Sequence, residues 1–185
     1  MMNFNLSKEQ ILLQESVFQS VSRISPALSI APRWVELANT GIIGTCVAPE
    51  YGGMGLGALD QLIVFEALGK ANTDNGLSFA LAAHTLSCVI PIHKYGTELK
   101  KEKYLPQLIS GKLIAANAMT ESESGSDVFH MQCKAIKNDD SYILNGTKTF
   151  ISNSAASELV LTYASTHPDK GFFGGITAFL VDKEN

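Results

Sequence analysis

The order of apolar and polar positions divides the chain into two parts with different periods. Up to about residue 112 the spacing is helical. Ser7 followed by Gln10 is a capping-box pair, with Leu6 and Ile11 placed to form a hydrophobic staple across it. Leu13, Val17, Val21 and Ile24 then recur on one helical face, and the helix should stop before Pro26. A short helix over 33–39 should end at Gly41, a natural C-terminal cap. Residues 41–57 are dense in glycine and read as loop. Leu59 to Leu68 is apolar nearly all round, which predicts a buried helix ended by Gly69. Asp74 is placed to cap a further helix running to about Pro91, with Leu77, Leu81, Leu86 and Val89 as its apolar bulk. Thr97 opens another, and Pro106 reads as the first turn of a second short helix that ends at Gly111.

After Gly111 the period falls to that of strands. A short apolar strand is predicted over 113–119, and further strands over 128–137, 142–151, 158–165 and 175–182. Turn signals separate them: Asn138-Asp139-Asp140, Asn145-Gly146, Ser152-Asn153-Ser154 and Pro168-Asp169-Lys170-Gly171. The expected fold class is α+β, with an all-α domain over 1–112 followed by an antiparallel β domain over 113–185. Four or five strands with no closing element leave open edges. The β domain is therefore expected to be incomplete, either cut short or completed by another polypeptide.

Composition narrows the classes. Apolar residues make up 45% and charged residues 17%, which excludes disorder and supplies a packed core. Lys plus Arg is 14 against 18 Asp plus Glu, with no basic block, so a sequence-independent grip on nucleic acid is not expected. No apolar run approaches the roughly 18 residues of a membrane span, and the opening MMNFNLSKEQ lacks the layout of a secretory signal. Cys46, Cys88 and Cys133 form no CxxC, so free thiols in a reducing, cytoplasmic setting are expected. His84, His93, His130 and His167 are scattered, without the spacing of a helical metal pair, and no metal is expected.

Three segments carry candidate chemistry. Gly53-Met54-Gly55-Leu56-Gly57-Ala58 fits a dinucleotide-binding turn, but no βαβ unit surrounds it, and it reads as a loop leading into a helix. The stretch 118–127, Ala-Met-Thr-Glu-Ser-Glu-Ser-Gly-Ser-Asp, offers hydroxyls, amides and a glycine, with no bulky apolar side chain after Met119. It suits either an ordinary polar surface loop or a loop that wraps a polar ligand. In 145–153 a tight turn leads into a strand on which Phe150 and Ser152 share a face. An aromatic beside a hydroxyl can flank a planar ring and bond its edge; an edge strand with Phe150 packed inward explains the same residues.

Taken in order, six segments make the chain similar to the acyl-CoA dehydrogenase family. They are Pro49-Glu50-Tyr51-Gly52-Gly53-Met54-Gly55, Glu66-Ala67-Leu68-Gly69, Tyr95-Gly96-Thr97-Glu98, Tyr104-Leu105-Pro106, Thr120-Glu121 with Gly125-Ser126-Asp127, and Asn145-Gly146-Thr147-Lys148. The stretch Asp74 to Phe79 also resembles members from secondary-metabolite pathways, some of which act on acyl groups held by a carrier protein. The resemblance implies a FAD-dependent α,β-dehydrogenation of an acyl thioester, carried on CoA or on a carrier protein. It implies an electron-accepting flavoprotein or oxygen as the next partner, and a homo-oligomer when full length. It places Met119 and Thr120 at the pyrimidine edge of the flavin, and Gly125 and Ser126 at the FAD pyrophosphate, with Ser126 also close to the substrate thioester. Phe150 stands at the flavin wall in place of the usual Trp, followed by Ile151, and Ser152 replaces the usual Thr at N5.

The sequence departs from the family at three places. Asn117 stands where an aromatic often contacts the flavin, and Ser122-Glu123 replaces the common Pro-Gly. The family's catalytic Glu belongs to a C-terminal helical domain that is absent from these residues, so no catalytic residue is expected among them. Two alternatives stay open: a non-catalytic partner subunit of a full-length relative, and acyl-CoA oxidase or flavin monooxygenase chemistry on the same fold. The flavin reading requires the turns at 120–126 and 150–152 to converge.

Overall fold

The structure, a computed structural model, describes residues 5–183. The chain forms two compact units, with the boundary between Leu113 and Ile114.

The first unit is helical: α1 (Lys8–Ser22), α2 (Ile30–Asn39), α3 (Ala58–Ala71), α4 (Asn75–His84), α5 (Ile90–Tyr95) and α6 (Glu98–Ile109). Local chemistry starts two of them. Ser7 Oγ accepts from Gln10 N at 3.2 Å while Gln10 Oε1 accepts from Ser7 N at 3.0 Å. Asp74 Oδ1 accepts from Leu77 N at 3.0 Å, and its other oxygen pairs with Arg33 at 3.1 Å. Each arrangement satisfies amide donors that a helix N-terminus would leave orphaned. Leu37, Ile42, Ile43, Leu68, Leu81, Leu105 and Leu108 are fully buried and form the core of this unit.

Three helix boundaries differ from the periodic reading. Gly69 does not end α3, which runs on to Ala71. It faces open space in ordinary helical conformation, so nothing there calls on glycine's freedom. Pro106 lies inside α6 rather than opening a second helix; Tyr104, Leu105, Leu108 and Ile109 are buried around it, so packing carries the helix past the missing donor. A π-helical turn, Thr85–Val89, joins α4 to α5, with Ile90 N bonding to Thr85 O. That widening sits just ahead of Pro91, which cannot supply the next ladder donor. Asn75–Tyr95 is therefore one helical run of 21 residues with mean hydropathy 1.4, long and apolar enough to cross a membrane by length and composition. The expectation that no segment reaches this length missed it because the apolar run is interrupted by His84, Thr85 and Ser87. Leu77, Leu81, His84, Cys88, Val89 and Ile92 of this run are buried within the unit, while Phe79 and Leu86 are exposed.

The second unit is a five-stranded sheet of β1 (Ala115–Ala118), β2 (Lys134–Asn138), β3 (Ser141–Asn145), β4 (Leu159–Ser165) and β5 (Ile176–Asp182). β2 and β3 form a hairpin in which Asn138 faces Ser141. Asp139, at φ 49°, supplies the left-handed residue of its two-residue turn. β4 and β5 are also antiparallel, from Leu159 opposite Asp182 to Ser165 opposite Ile176. The sheet is mixed rather than wholly antiparallel, because β1 runs parallel to β4, with Ala115 opposite Leu159, and Lys134 of β2 meets Ser165 in parallel. A long connection carrying the whole hairpin separates β1 from β4, so no tight turn forces them antiparallel. Cys133, Ala135 and Ala164 pack with Leu144 and Phe179 in a small core.

Two predicted strands are shorter than expected. Val128–His130 forms a 3₁₀ turn, so β2 begins only at Lys134. β3 ends at Asn145, and residues 146–153 are loop rather than strand. Gly146, at φ 153°, lies so close to Cys133 that a Cβ there would sit 2.6 Å from its Cα. Lys148 then turns inward, and Phe150 and Asn153 take left-handed conformations with φ of 56° and 67°. Period-two alternation cannot hold through such a segment, so the expectation that Phe150 and Ser152 share a strand face fails.

Candidate functional site

The site is built in the second unit from two loops. The first leaves β1 at Met119. Glu121 N bonds to Ser124 O at 3.0 Å and Ser124 N to Glu121 O at 3.3 Å, so Ser122 and Glu123 form the exposed tip of a tight turn. The Ser122-Glu123 pair thus sits at the tip of a turn closed by the backbone of Glu121 and Ser124. Ser124 Oγ, buried, donates to Asp127 O at 2.6 Å and ties down the far side.

The second loop is 146–153. Thr149 N donates to Thr120 O at 2.9 Å, which joins the two loops backbone to backbone. Lys148 fastens them again: its ammonium donates to Met119 O at 3.0 Å and to Glu121 Oε1 at 2.8 Å. The side chains of Lys148 and Glu121 are 11% and 4% exposed. Glu121 also accepts from Cys133 N at 3.0 Å and Gln132 N at 2.5 Å. Burial alone would raise the Glu121 pKa, but the Lys148 ammonium and these two amides outweigh it and hold the carboxyl below the usual carboxylate range.

These bonds join Met119, Thr120 and Glu121 to Lys148 and Thr149, and Phe150, Ile151 and Ser152 follow directly in the chain. The N–H and hydroxyl of Thr120 have no hydrogen-bond partner among the described residues. Phe150 is 93% exposed, a full aromatic face displayed on a left-handed backbone. Holding a bulky residue there costs about 1–3 kcal/mol, a strain found most often at ligand-binding segments. Thr149 Oγ1 is buried without a hydrogen-bond partner among the described residues. Ile151 and Ser152 are half-buried. Asn117, on β1, lies half-buried with its amide donating to Tyr163 Oη at 3.5 Å on β4. Gly125 and Ser126 are exposed, and no hydrogen bond among the described residues ties them to the Phe150 loop.

Glu121, Lys148 and Thr149 are the residues that a reading for ligand-contacting groups passes over. Their signal was present, since Thr120-Glu121 and Thr147-Lys148 both lie in the family-like segments. A Glu and a Lys so far apart in sequence do not announce a buried pair.

The glycine-rich loop of the first unit is not a phosphate cradle. Gly53 N, Met54 N, Gly55 N and Leu56 N all donate to carbonyls of residues 44–48, so no run of amides is left for an anion. His84 is buried edge-on to Trp34 and bonded to Leu108 O, while His93 accepts from Ala48 N. Among the described residues no group of three or more His, Cys, Asp or Glu could hold a metal ion.

The fold is a helical unit followed by a mixed five-stranded sheet whose loops are joined in pairs. Comparison with known proteins makes it specific. The family model described as "Acyl-CoA dehydrogenase, N-terminal domain" matches residues 10–112, and "Acyl-CoA dehydrogenase, middle domain" matches 116–185. The chain belongs to the acyl-CoA dehydrogenase family.

Among curated relatives, L-prolyl-[peptidyl-carrier protein] dehydrogenase of Serratia sp. (strain ATCC 39006) is 43% identical over 98% of this chain and 49% of its own length. The mitochondrial isovaleryl-CoA dehydrogenase of Pongo abelii is 38% identical over 96% of the chain and 44% of its own. Among solved structures, PigA with FAD and proline superposes with a TM-score of 0.90 at 43% identity, over 98% of this chain and 50% of PigA. The chain thus spans about half the length of the relatives it matches.

Proposed function

We propose that the chain supplies the flavin-holding loops of a FAD-dependent enzyme that removes hydrogens from the α and β carbons of an acyl thioester. Among thioesters, the prolyl group on a carrier protein is favoured, because the Serratia relative is named for that substrate. The observation that carries the reading is the joined pair of loops, with the Thr120 donors unspent and the ring of Phe150, next in the chain to the Thr149 that bonds Thr120, exposed. When bound, FAD supplies the acceptor for the β hydrogen, taken as hydride.

The residues fit such a group. Thr120 offers an N–H and a hydroxyl to a ring edge, which suits the charge that reduction places there. Phe150 offers a face for stacking and Ser152 a hydroxyl two residues on. Met119, whose carbonyl is held by the Lys148 ammonium, is assigned with Thr120 to that edge. Gly125 and Ser126, open to solvent, are assigned to the pyrophosphate, with Ser126 also toward the thioester. Asn117, held by Tyr163, lines the same end of the sheet. No general base is assigned among these residues: Glu121 is held ionised and fully paired, which makes it a poor proton acceptor. Oxygen or a flavoprotein as electron acceptor, and assembly into a homo-oligomer, belong to the same proposal. So does a cytoplasmic setting, which three free thiols suit.

Purification with excess FAD tests this reading. The chain should retain flavin with a perturbed visible band, Phe150→Ala should retain about tenfold less, and neither a prolyl carrier-protein thioester nor an acyl-CoA should bleach it. Absence of any flavin uptake overturns the cofactor assignment. Full bleaching by either thioester overturns the statement that no base lies here.

A further inference from the structure

The Glu121–Lys148 pair is buried, costly and remote in sequence, and the proposed chemistry gives it no direct part. A buried ion pair is weak grounds for stability, since desolvation offsets the attraction. Its bonds suggest another use. The ammonium of Lys148 donates to Met119 O and Glu121 Oε1, and its remaining side abuts Met131 Sδ at 4.0 Å. With the side chain 11% exposed and the ammonium donating to Met119 O and Glu121 Oε1, Lys148 is placed to act through another group.

That group is the peptide between residues 119 and 120. Its carbonyl is Met119 O, and its N–H is the unpaired N–H of Thr120. A charged donor on the carbonyl draws electron density through the amide and makes the same amide's N–H a stronger donor. It also fixes the plane of the peptide, and so the direction of the N–H. Glu121 completes the device. By accepting from Gln132 N and Cys133 N as well, it locks the ammonium against the start of β2.

We propose that Lys148, anchored by Glu121, is a positioning residue that orients and polarises the Met119–Thr120 peptide so that the Thr120 N–H is a preset donor to the negative edge of the bound cofactor. This rests on the flavin reading above. Lys148 needs no contact with the cofactor for this, since its charge would reach the ring through one shared amide. The arrangement costs no reorganisation when charge develops, because the peptide is already aligned.

Removing Lys148 alone strands a buried carboxylate and can unfold the unit, so the comparison uses Lys148→Arg, which keeps the charge, and the neutral double variant Glu121→Gln/Lys148→Met. In flavin-free protein, amide exchange at Thr149 and Cys133 should quicken at least tenfold in the double variant and far less in Lys148→Arg. With FAD, the double variant should bind about tenfold more weakly and show a more negative flavin midpoint potential, while Lys148→Arg keeps most of both. Unchanged exchange in the double variant overturns the clamp. Quickened exchange with unchanged affinity and potential shows a merely structural pair and overturns the proposal. If the wild-type chain takes up no FAD, the flavin reading fails and takes the positioning role with it, while the exchange data still judge the clamp.

Discussion

Glu121 is the residue on which both loops depend. In the unfolded chain it titrates near the ordinary glutamate value of about 4.3. In the fold its pKa is lower, because the Lys148 ammonium and two amides favour the charged form against the opposing effect of burial. The unfolded state therefore binds more protons than the folded one across that interval. The stabilisation is fully present above the unfolded value and is lost as pH falls through the folded one. Denaturant midpoints measured from pH 7 down to pH 3 should begin to fall as the pH drops past the unfolded glutamate value, and Glu121→Gln should flatten that fall. A wild-type and a Gln variant that decline in parallel would contradict the assignment. Asp74 and Glu98 are lowered as well, by the Leu77 amide with Arg33 and by Tyr51 with Lys101, and contribute with the same sign. At this scale the sequence was partly legible. The family resemblance singled out Met119, Thr120 and Phe150 as candidates, whereas the left-handed backbone at Phe150 could not be read, because Phe carries no turn preference.

Among the elements, the helices were legible where capping chemistry or periodicity governed them. Ser7 with Gln10 and Asp74 mark true helix starts for stated physical reasons. Periodicity failed where tertiary packing overrode a local breaker, at Gly69 and at Pro106, and where a π-turn accommodated Pro91. The β segments were less legible, because short strands depend on partners remote in sequence. Asn145-Gly146 was read as a turn, but its glycine is required by close approach to Cys133. A Cβ at Gly146 would lie 2.7 Å from Cys133 Cβ and 2.9 Å from its Sγ, on a backbone at φ 153° that side chains disfavour. Gly146→Ala should destabilise the sheet by roughly 1–3 kcal/mol and loosen the Lys148 loop that follows. Urea denaturation measures the first and exchange at Thr149 the second. A variant as stable as wild type would show that β2 and the loop yield easily there.

The whole chain corresponds to about half of the family members it matches. Its class was legible because six short segments occur in family order, not because any one is diagnostic. What remained hidden was the clamp between two loops that are remote in sequence. The central claim is that these loops act as one holder for a planar ring, since Thr149 N already bonds to Thr120 O. The most direct measurement is hydrogen exchange of the chain with and without saturating FAD, resolved by residue. The account predicts that residues 119–126 and 149–152 gain protection together and at the same FAD concentration. Protection of only one loop, or of neither while flavin binds elsewhere, would contradict it.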